Sequence, residues 1–230
     1  MRKKSAKEPG LKRGIDFYFI TDSALSKKGI LSDAREAIKA GCAIIQYREK
    51  NKSKNEFIKE ALQIKKICDK NGAIFIVNDD AEAALAIGAD GVHLGQGDMG
   101  YHAARKLLGS KIIGLTVHNV REAIEAERIG ADYIGLSPIF ATSTKKDAGR
   151  PCGTKMIAKI RKSVSIPIVA IGGITKQNVA EAIKSGADSA AAISSVLAGD
   201  VIAEVADFIR VIKENKGKSQ FSDAFFGDSH

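Results

Sequence analysis

"IGADGVHL" (residues 87–94) and "IGADYIGL" (129–136) are one phrase written twice, and "AGCAIIQ" (40–46) and "SGADSAAA" (185–192) are looser copies of it. Each copy follows an amphipathic stretch and runs into an apolar one. A glycine at that junction suits the left-handed residue that closes a helix, and the residues behind it enter a strand. The chain is built from a repeated helix-to-strand unit.

Working outward from these junctions, apolar runs fall at 17–21, 43–48, 73–78, 91–95, 112–117, 132–137, 167–171 and 189–194. Helical patterns lie between and after them, at about 32–40, 54–70, 81–87, 100–108, 119–129, 153–163, 175–185 and 200–213. The second is the clearest, with Phe57, Ile58, Ala61, Leu62, Ile64, Ile67 and Cys68 along one broad stripe. Strands with few polar positions, each separated by a helix, predict a parallel sheet covered by helices. Eight such units predict an α/β fold closed into a (β/α)8 TIM barrel, a single domain over residues 15–214. A doubly wound open sheet is the alternative, but no G-x-G-x-x-G opens the first helix. Residues 1–14 read as a basic tail outside the barrel. Residues 215–230, where helical periodicity has faded, read as a second tail.

The chain has 230 residues, 44% hydrophobic and 27% charged, which is the composition of a globular protein with a substantial core. Its formal net charge is +9, yet residues 1–13 hold six basic side chains against Glu8 alone and carry five of those nine charges. A short basic end is no nucleic-acid footprint, so no nucleic-acid partner is expected. "FYFI" is too short for a leader or a span, so no membrane partner is expected either. Cys42, Cys68 and Cys152 show no C-x-x-C spacing and read as free thiols in a reducing, cytoplasmic setting.

In such a barrel the chemistry sits where strands run out into the βα loops. Strand one ends in Thr21-Asp22. Strand two ends in "QYREK", where alternation puts Gln46, Arg48 and Lys50 on one side and Tyr47 and Glu49 on the other. Strand three ends in Asn78-Asp79-Asp80, and strand four runs into Gln96 and Asp98. Strand five carries Thr116 and His118, and strand six leads into "SPIFATSTKKDAG" (137–149) with Thr142, Thr144 and Lys145. Strands seven and eight end in Gly172-Gly173 and Ser194-Ser195.

These residues sort by charge. Backbone N–H groups at the two glycines and two serines, with the hydroxyls of Thr142 and Thr144, suit one phosphate. Arg48, Lys50 and Lys145 against the carboxylates of Asp79 and Asp98 suit a pyrophosphate shared between cations and a Mg²⁺ ion. Two phosphorylated small-molecule substrates are therefore expected, one of them a diphosphate. Taken singly, Asp79 and Asp98 could equally cap the helices that follow them, and His93 reads as a satisfied interior histidine. The histidines lack metal-ligand spacing, and no nucleophile sits beside a base.

Together "QYREK", "IVNDD", "GVHLGQGD", "GLTVH", "ATSTKK", "AIGGI" and "AISS" resemble the thiamin phosphate synthase family, in order from about Phe17 to Gly199. The resemblance implies a TIM-barrel transferase of thiamin biosynthesis that uses Mg²⁺. Such an enzyme couples a hydroxymethylpyrimidine diphosphate to a hydroxyethylthiazole phosphate and releases pyrophosphate. It implies Gln46 at the pyrimidine, and Arg48, Lys50, Asn78 and Lys145 on the diphosphate. Asp79 and Asp98 would hold the metal, with Thr116 beside the reacting methylene. Thr142, Thr144, Gly173, Ile193 and Ser194 would bind the thiazole phosphate. Two positions depart from the family pattern: Thr116 stands where serine is usual, and Ser137 where glycine is usual. The implied mechanism is dissociative and needs neither protein nucleophile nor strong base. The nearest alternative is the related thiazole tautomerase, which handles the thiazole phosphate alone. A monomer or a homodimer is compatible with all of this.

Overall fold

A computed structural model describes residues 15–144 and 149–216 of the chain. The strands are β1 (Phe17–Ile20), β2 (Ile44–Tyr47), β3 (Ile74–Asn78), β4 (Gly91–Leu94), β5 (Ile112–Val117), β6 (Tyr133–Leu136), β7 (Ile168–Ile171) and β8 (Ser189–Ala192). Each pairs in parallel with its neighbour in sequence, and β8 returns to β1, so the sheet closes on itself. The helices are α1 (Ile30–Lys39), α2 (Lys54–Asn71), α3 (Ala81–Ile87), α4 (Tyr101–Leu108), α5 (Val120–Ile129), α6 (Thr154–Arg161), α7 (Val179–Lys184), α8 (Ser194–Leu197) and α9 (Val201–Asn215). The (β/α)8 barrel expected from the sequence is the observed fold.

The repeated phrase works as its chemistry suggests. Gly41, Gly88, Gly130 and Gly186 all have positive φ, between 71° and 107°, where a Cβ would be strained. The alanine behind three of them is buried at 5% exposure or less. The aspartate after that alanine opens the next strand and reaches back to the strand before it. Asp90 accepts from the Phe75 N–H at 2.9 Å, Asp132 from Ile113 at 2.8 Å and Asp188 from Ile168 at 2.8 Å. One G-A-D triplet thus ends a helix, packs its exit and ties two strands together. Elsewhere the helix starts are written plainly: Ser53 and Glu56 form a reciprocal capping box, and Asp80, Asn119 and Asp200 cap α3, α5 and α9.

Alternation along the strands splits the apolar residues into two layers. Phe17, Phe19, Ile45, Tyr47, Phe75 and Ile134 face the helices, where Phe17 stacks on Phe208 of α9 at 4.8 Å. Tyr18, Ile20, Ile44, Ile76, Tyr133 and Val169 fill the barrel interior. Burial on both faces explains why the strands read as continuous apolar runs.

Most boundaries shift by one or two residues, and two shifts bear on the site. The helical pattern at 175–185 becomes a helix only from Val179. Asn178 accepts from the Thr175 N–H at 2.8 Å and donates to the Gly173 carbonyl at 2.9 Å, which holds 175–178 as a turn. The run 189–194 is a strand only to Ala192, because Ser194–Leu197 coil into the one-turn helix α8. Ser195 consequently turns away from the barrel mouth and donates to the Ile174 carbonyl at 2.9 Å. Among the described residues, no helix is long and apolar enough to cross a membrane. The expected N-terminal tail, residues 1–14, lies outside the described residues, as does the expected C-terminal tail beyond residue 216.

Candidate functional site

A cavity of about 490 Å³ opens at the C-terminal ends of the strands. Gln46, Arg48, Lys50, Asn78, Asp79, Asp98, Thr116, Thr142, Thr144, Gly173, Ile193 and Ser194 all line it. Residues drawn from β2 through α8 therefore meet at one rim. Lys145, the remaining candidate, lies outside the described residues.

The cationic side is built at the ends of β1 and β2. The Arg48 N–H donates to the buried Thr21 hydroxyl at 3.0 Å, and the guanidinium pairs with Asp22 at 3.1 Å. Asp22 also accepts from the Ala24 and Leu25 N–H groups at 3.1 and 3.2 Å, so its carboxylate stays anchored whichever way Arg48 swings. Within the charged group expected from sequence, the resting pairs are Arg48 with Asp22 and Lys50 with Asp79. Glu49 points the other way, as alternation requires, and folds the loop by accepting from the N–H groups of Lys50 at 2.7 Å and Asn51 at 2.8 Å.

Asp79 and Asp98 face each other across the β3 and β4 exits, and neither caps a helix. The α3 cap is Asp80, and the residue before α4 is Gly100. Asp79 instead occupies a positive φ of 67°, rare for a residue with a side chain. Asn78 and Asp80 close a 2.8 Å hydrogen bond across it. That i-to-i+2 closure at positive φ is a γ-type turn, a strained arrangement that throws the carboxylate outward. Asp98 is held by the Gly95 N–H at 2.6 Å. Burial works to raise the Asp79 carboxyl, but Lys50 and the Asp98 carboxyl hold it below the usual range. Burial and the neighbouring Asp79 push Asp98 the other way, upward. Two carboxyl groups sharing one exit are a like-charge strain that a cation would relieve.

An all-oxygen donor pair suits a hard cation such as Mg²⁺, which takes few protein ligands and completes its shell with water or phosphate oxygens. Among the described residues, no group of three or more histidine, cysteine or acidic side chains could hold a metal by itself. The pair therefore fits a cation shared with a phosphorylated substrate better than a permanent, fully protein-ligated ion.

Opposite lies a neutral, hydroxyl-rich side. Thr144 donates to Ser194 at 3.2 Å, and the Thr144 N–H donates to the Thr142 hydroxyl at 3.3 Å. The loop after β6 continues to pair beyond the strand: Ile139 donates to Ile171 and Phe140 to Gly172, each at 2.9 Å. Gly172 and Gly173 permit that approach. A Cβ on Gly172 would stand 2.6 Å from Pro138 Cβ, and one on Gly173 would stand 2.4 Å from the Ala141 carbonyl oxygen. The double glycine, read from sequence as a phosphate cradle, is also a steric requirement for seating the threonine loop.

The floor holds three residues that sequence reasoning did not place in the site: Tyr18, His93 and Tyr133. His93 is satisfied on both ring nitrogens, by Tyr133 and by Thr116, each at 2.9 Å. The available signal was parity, since Tyr18 alternates with Phe17 and Phe19, His93 with Val92 and Leu94, and Tyr133 with Ile134, all of which pack toward the helices. His118 lines the cavity and pairs with Glu122 at 3.1 Å.

A family model described as thiamine monophosphate synthase matches residues 17–196. The chain is 56% identical over 209 residues to the thiamine-phosphate synthase of Methanosarcina mazei, across 90% of this chain and 87% of that one. It is 51% identical over 217 residues to the thiamine-phosphate synthase of Methanosarcina barkeri, across 94% and 98% of the two chains. Among solved structures, the thiamine phosphate pyrophosphorylase from Pyrococcus furiosus is similar at a TM-score of 0.82 and 38% identity, covering 89% of this chain and 98% of that one.

Proposed function

The chain belongs to the thiamine monophosphate synthase family of transferases, and on that premise we propose that its cavity couples a pyrimidine diphosphate to a thiazole phosphate by a dissociative, Mg²⁺-assisted route. The observation that carries this reading is the division of one rim into two unlike halves. Arg48, Lys50, Asp79 and Asp98 form a charged half, and Thr142, Thr144, Gly173 and Ser194 a neutral one, in a single cavity.

In this reading Gln46 orients the aminopyrimidine, and Arg48, Lys50, Asn78 and Lys145 hold the diphosphate. Thr142, Thr144, Gly173, Ile193 and Ser194 hold the thiazole phosphate, which sets the thiazole nitrogen toward the methylene. Asp79 and Asp98 would hold Mg²⁺, whose contribution when bound is to neutralise charge on the leaving diphosphate. The bond from methylene carbon to oxygen breaks, its electron pair departs with the diphosphate, and the electron-rich pyrimidine spreads the cation left behind. The thiazole nitrogen then forms the new bond with its own lone pair. No proton has to leave the nucleophile, so no strong base is required. What the residues supply is fixed charge where negative charge grows, and removing one such donor typically costs about 10²–10³ in rate. The enzyme would act in the cytoplasm, and in its monomeric or dimeric form no nucleic acid or membrane partner is required.

The test is incubation with both substrates and Mg²⁺, following pyrophosphate release and thiamin phosphate together. Equimolar appearance of the two is the expected result. Pyrophosphate without the coupled product would mean a different acceptor, and neither product would overturn the reading.

A further inference from the structure

Beneath the cavity an unbroken line of hydrogen bonds crosses the barrel from β2 to β5. Gln46 Nε2 donates to the Tyr18 hydroxyl at 2.9 Å, and the hydroxyls of Tyr18 and Tyr133 meet at 2.7 Å. Tyr133 meets His93 Nδ1 at 2.9 Å, and His93 Nε2 meets the Thr116 hydroxyl at 2.9 Å. The line is built into the fold. Gly114 and Gly135 make room for it: a Cβ on Gly114 would stand 2.0 Å from Tyr133 Cζ, and one on Gly135 would stand 3.0 Å from His93 Cε1.

Counting hydrogens fixes its direction. The Gln46 amide spends a donor on Tyr18, so the Tyr18 oxygen is an acceptor and its own hydrogen needs a home. Among the described residues the Tyr133 oxygen is the one acceptor in reach. Tyr133 must then donate to His93 Nδ1, which leaves the imidazole proton on Nε2, facing Thr116. The Thr116 oxygen is now an acceptor, and its own hydrogen has no acceptor among the described residues except whatever fills the cavity.

We propose that Tyr18, Tyr133 and His93 are positioning residues that lock His93 in its Nε2–H tautomer and so turn the Thr116 hydroxyl into a donor aimed into the cavity. Given the function proposed above, the recipient is an oxygen of the departing diphosphate. Burial pushes both tyrosine hydroxyls well above their ordinary range, which keeps them protonated as the relay requires. The line also links the two ends of the reaction: the amide that orients the pyrimidine sets the polarity of the hydroxyl beside the leaving group.

The experiment has two independent readouts. Long-range ¹H–¹⁵N correlation spectra of the histidine rings, with His93 assigned by its loss in His93→Gln, report the tautomer without any substrate. The expected spectrum shows Nε2 protonated and Nδ1 bare, changing to a mixture in Tyr133→Phe. Protonated Nδ1 in the unmodified protein overturns the proposal. Kinetically, Tyr133→Phe should lower kcat about threefold to tenfold, the value of one neutral hydrogen bond, with both KM values unchanged. In a Thr116→Val background the same change should cost nothing further. An equal loss in both backgrounds would make Tyr133 a packing residue and overturn the relay. Should Tyr133→Phe fold poorly, Tyr18→Phe breaks the line one link away and carries the same expectations. A protein with the expected tautomer that couples no substrates refutes the proposed function and not the hydrogen-bond polarity.

Discussion

Gly173→Ala is the most demanding perturbation of the threonine-loop side of the cavity. Gly173 has φ of 64°, and an added Cβ would meet the Ala141 carbonyl oxygen at 2.4 Å and Phe140 Cβ at 2.8 Å. Ordinary contact begins about 1 Å farther out, and the obstruction on the carbonyl side is backbone, which cannot rotate away. Left-handed strain costs roughly 1–2 kcal/mol for a residue with a Cβ, and overpacking adds about 1–3 kcal/mol. A central value of about 3 kcal/mol lowers the melting temperature of a domain this size by about 6–12 °C. The strain should be relieved by pushing residues 140–144 outward, so the thiazole phosphate KM should rise about tenfold while the diphosphate KM stays put. Gly88→Ala is the internal control. Its φ is 71°, but nothing lies within 4 Å of the added Cβ, so it should lose only the left-handed strain and leave both KM values alone. Thermal unfolding followed by circular dichroism, with steady-state kinetics, measures all of this. Equal destabilisation by the two substitutions, or an unchanged thiazole phosphate KM in Gly173→Ala, would refute the close-approach argument.

Asp98→Ala should abolish the Mg²⁺ response of coupling and lower kcat/KM by about 10²–10³, with the circular dichroism spectrum intact; a metal titration curve like that of the unmodified protein would exclude Asp98 from the metal site. A thiazole tautomerase, by contrast, should be indifferent to that change. The thiols offer a pH test. Burial pushes Cys42 up to about 11 and Cys68 up to about 12. The folded state therefore holds these protons more tightly than an unfolded thiol of about 8.5 does. The linked stability is complete below that lower value and is lost as pH rises toward the folded ones. At pH near 8 a disulfide reagent should modify half-buried Cys152 alone, and all three thiols after unfolding; rapid reaction of three in the native protein would contradict the packing.

The fold was legible because its signals are local. A helix exit that needs positive φ demands glycine wherever it recurs, and strands buried on both faces must be apolar throughout, so both leave marks in one dimension. The charged candidates were legible for a related reason: strand ends in a parallel barrel share one rim, so polar residues there gather without any pairing being known. Who pairs with whom was not legible. Arg48 belongs to Asp22 and not to Asp79, because the Thr21 hydroxyl draws the β2 exit against β1. Asp79 escapes a capping role because the chain turns at Asp79 itself and the helix is capped one residue later, by Asp80.

By itself the sequence determined the number and order of strands, the end of the barrel where chemistry collects, and the residue types found there. All of these follow from periodicity and backbone conformation, which depend on near neighbours alone. Only the tertiary structure decided that Gly172 and Gly173 are needed to admit a neighbouring loop. Only it joined Tyr18, Tyr133 and His93 into a line ending at Thr116. Steric clearance and hydrogen-bond direction are properties of atoms brought together from distant strands, and no spacing along a single chain encodes them.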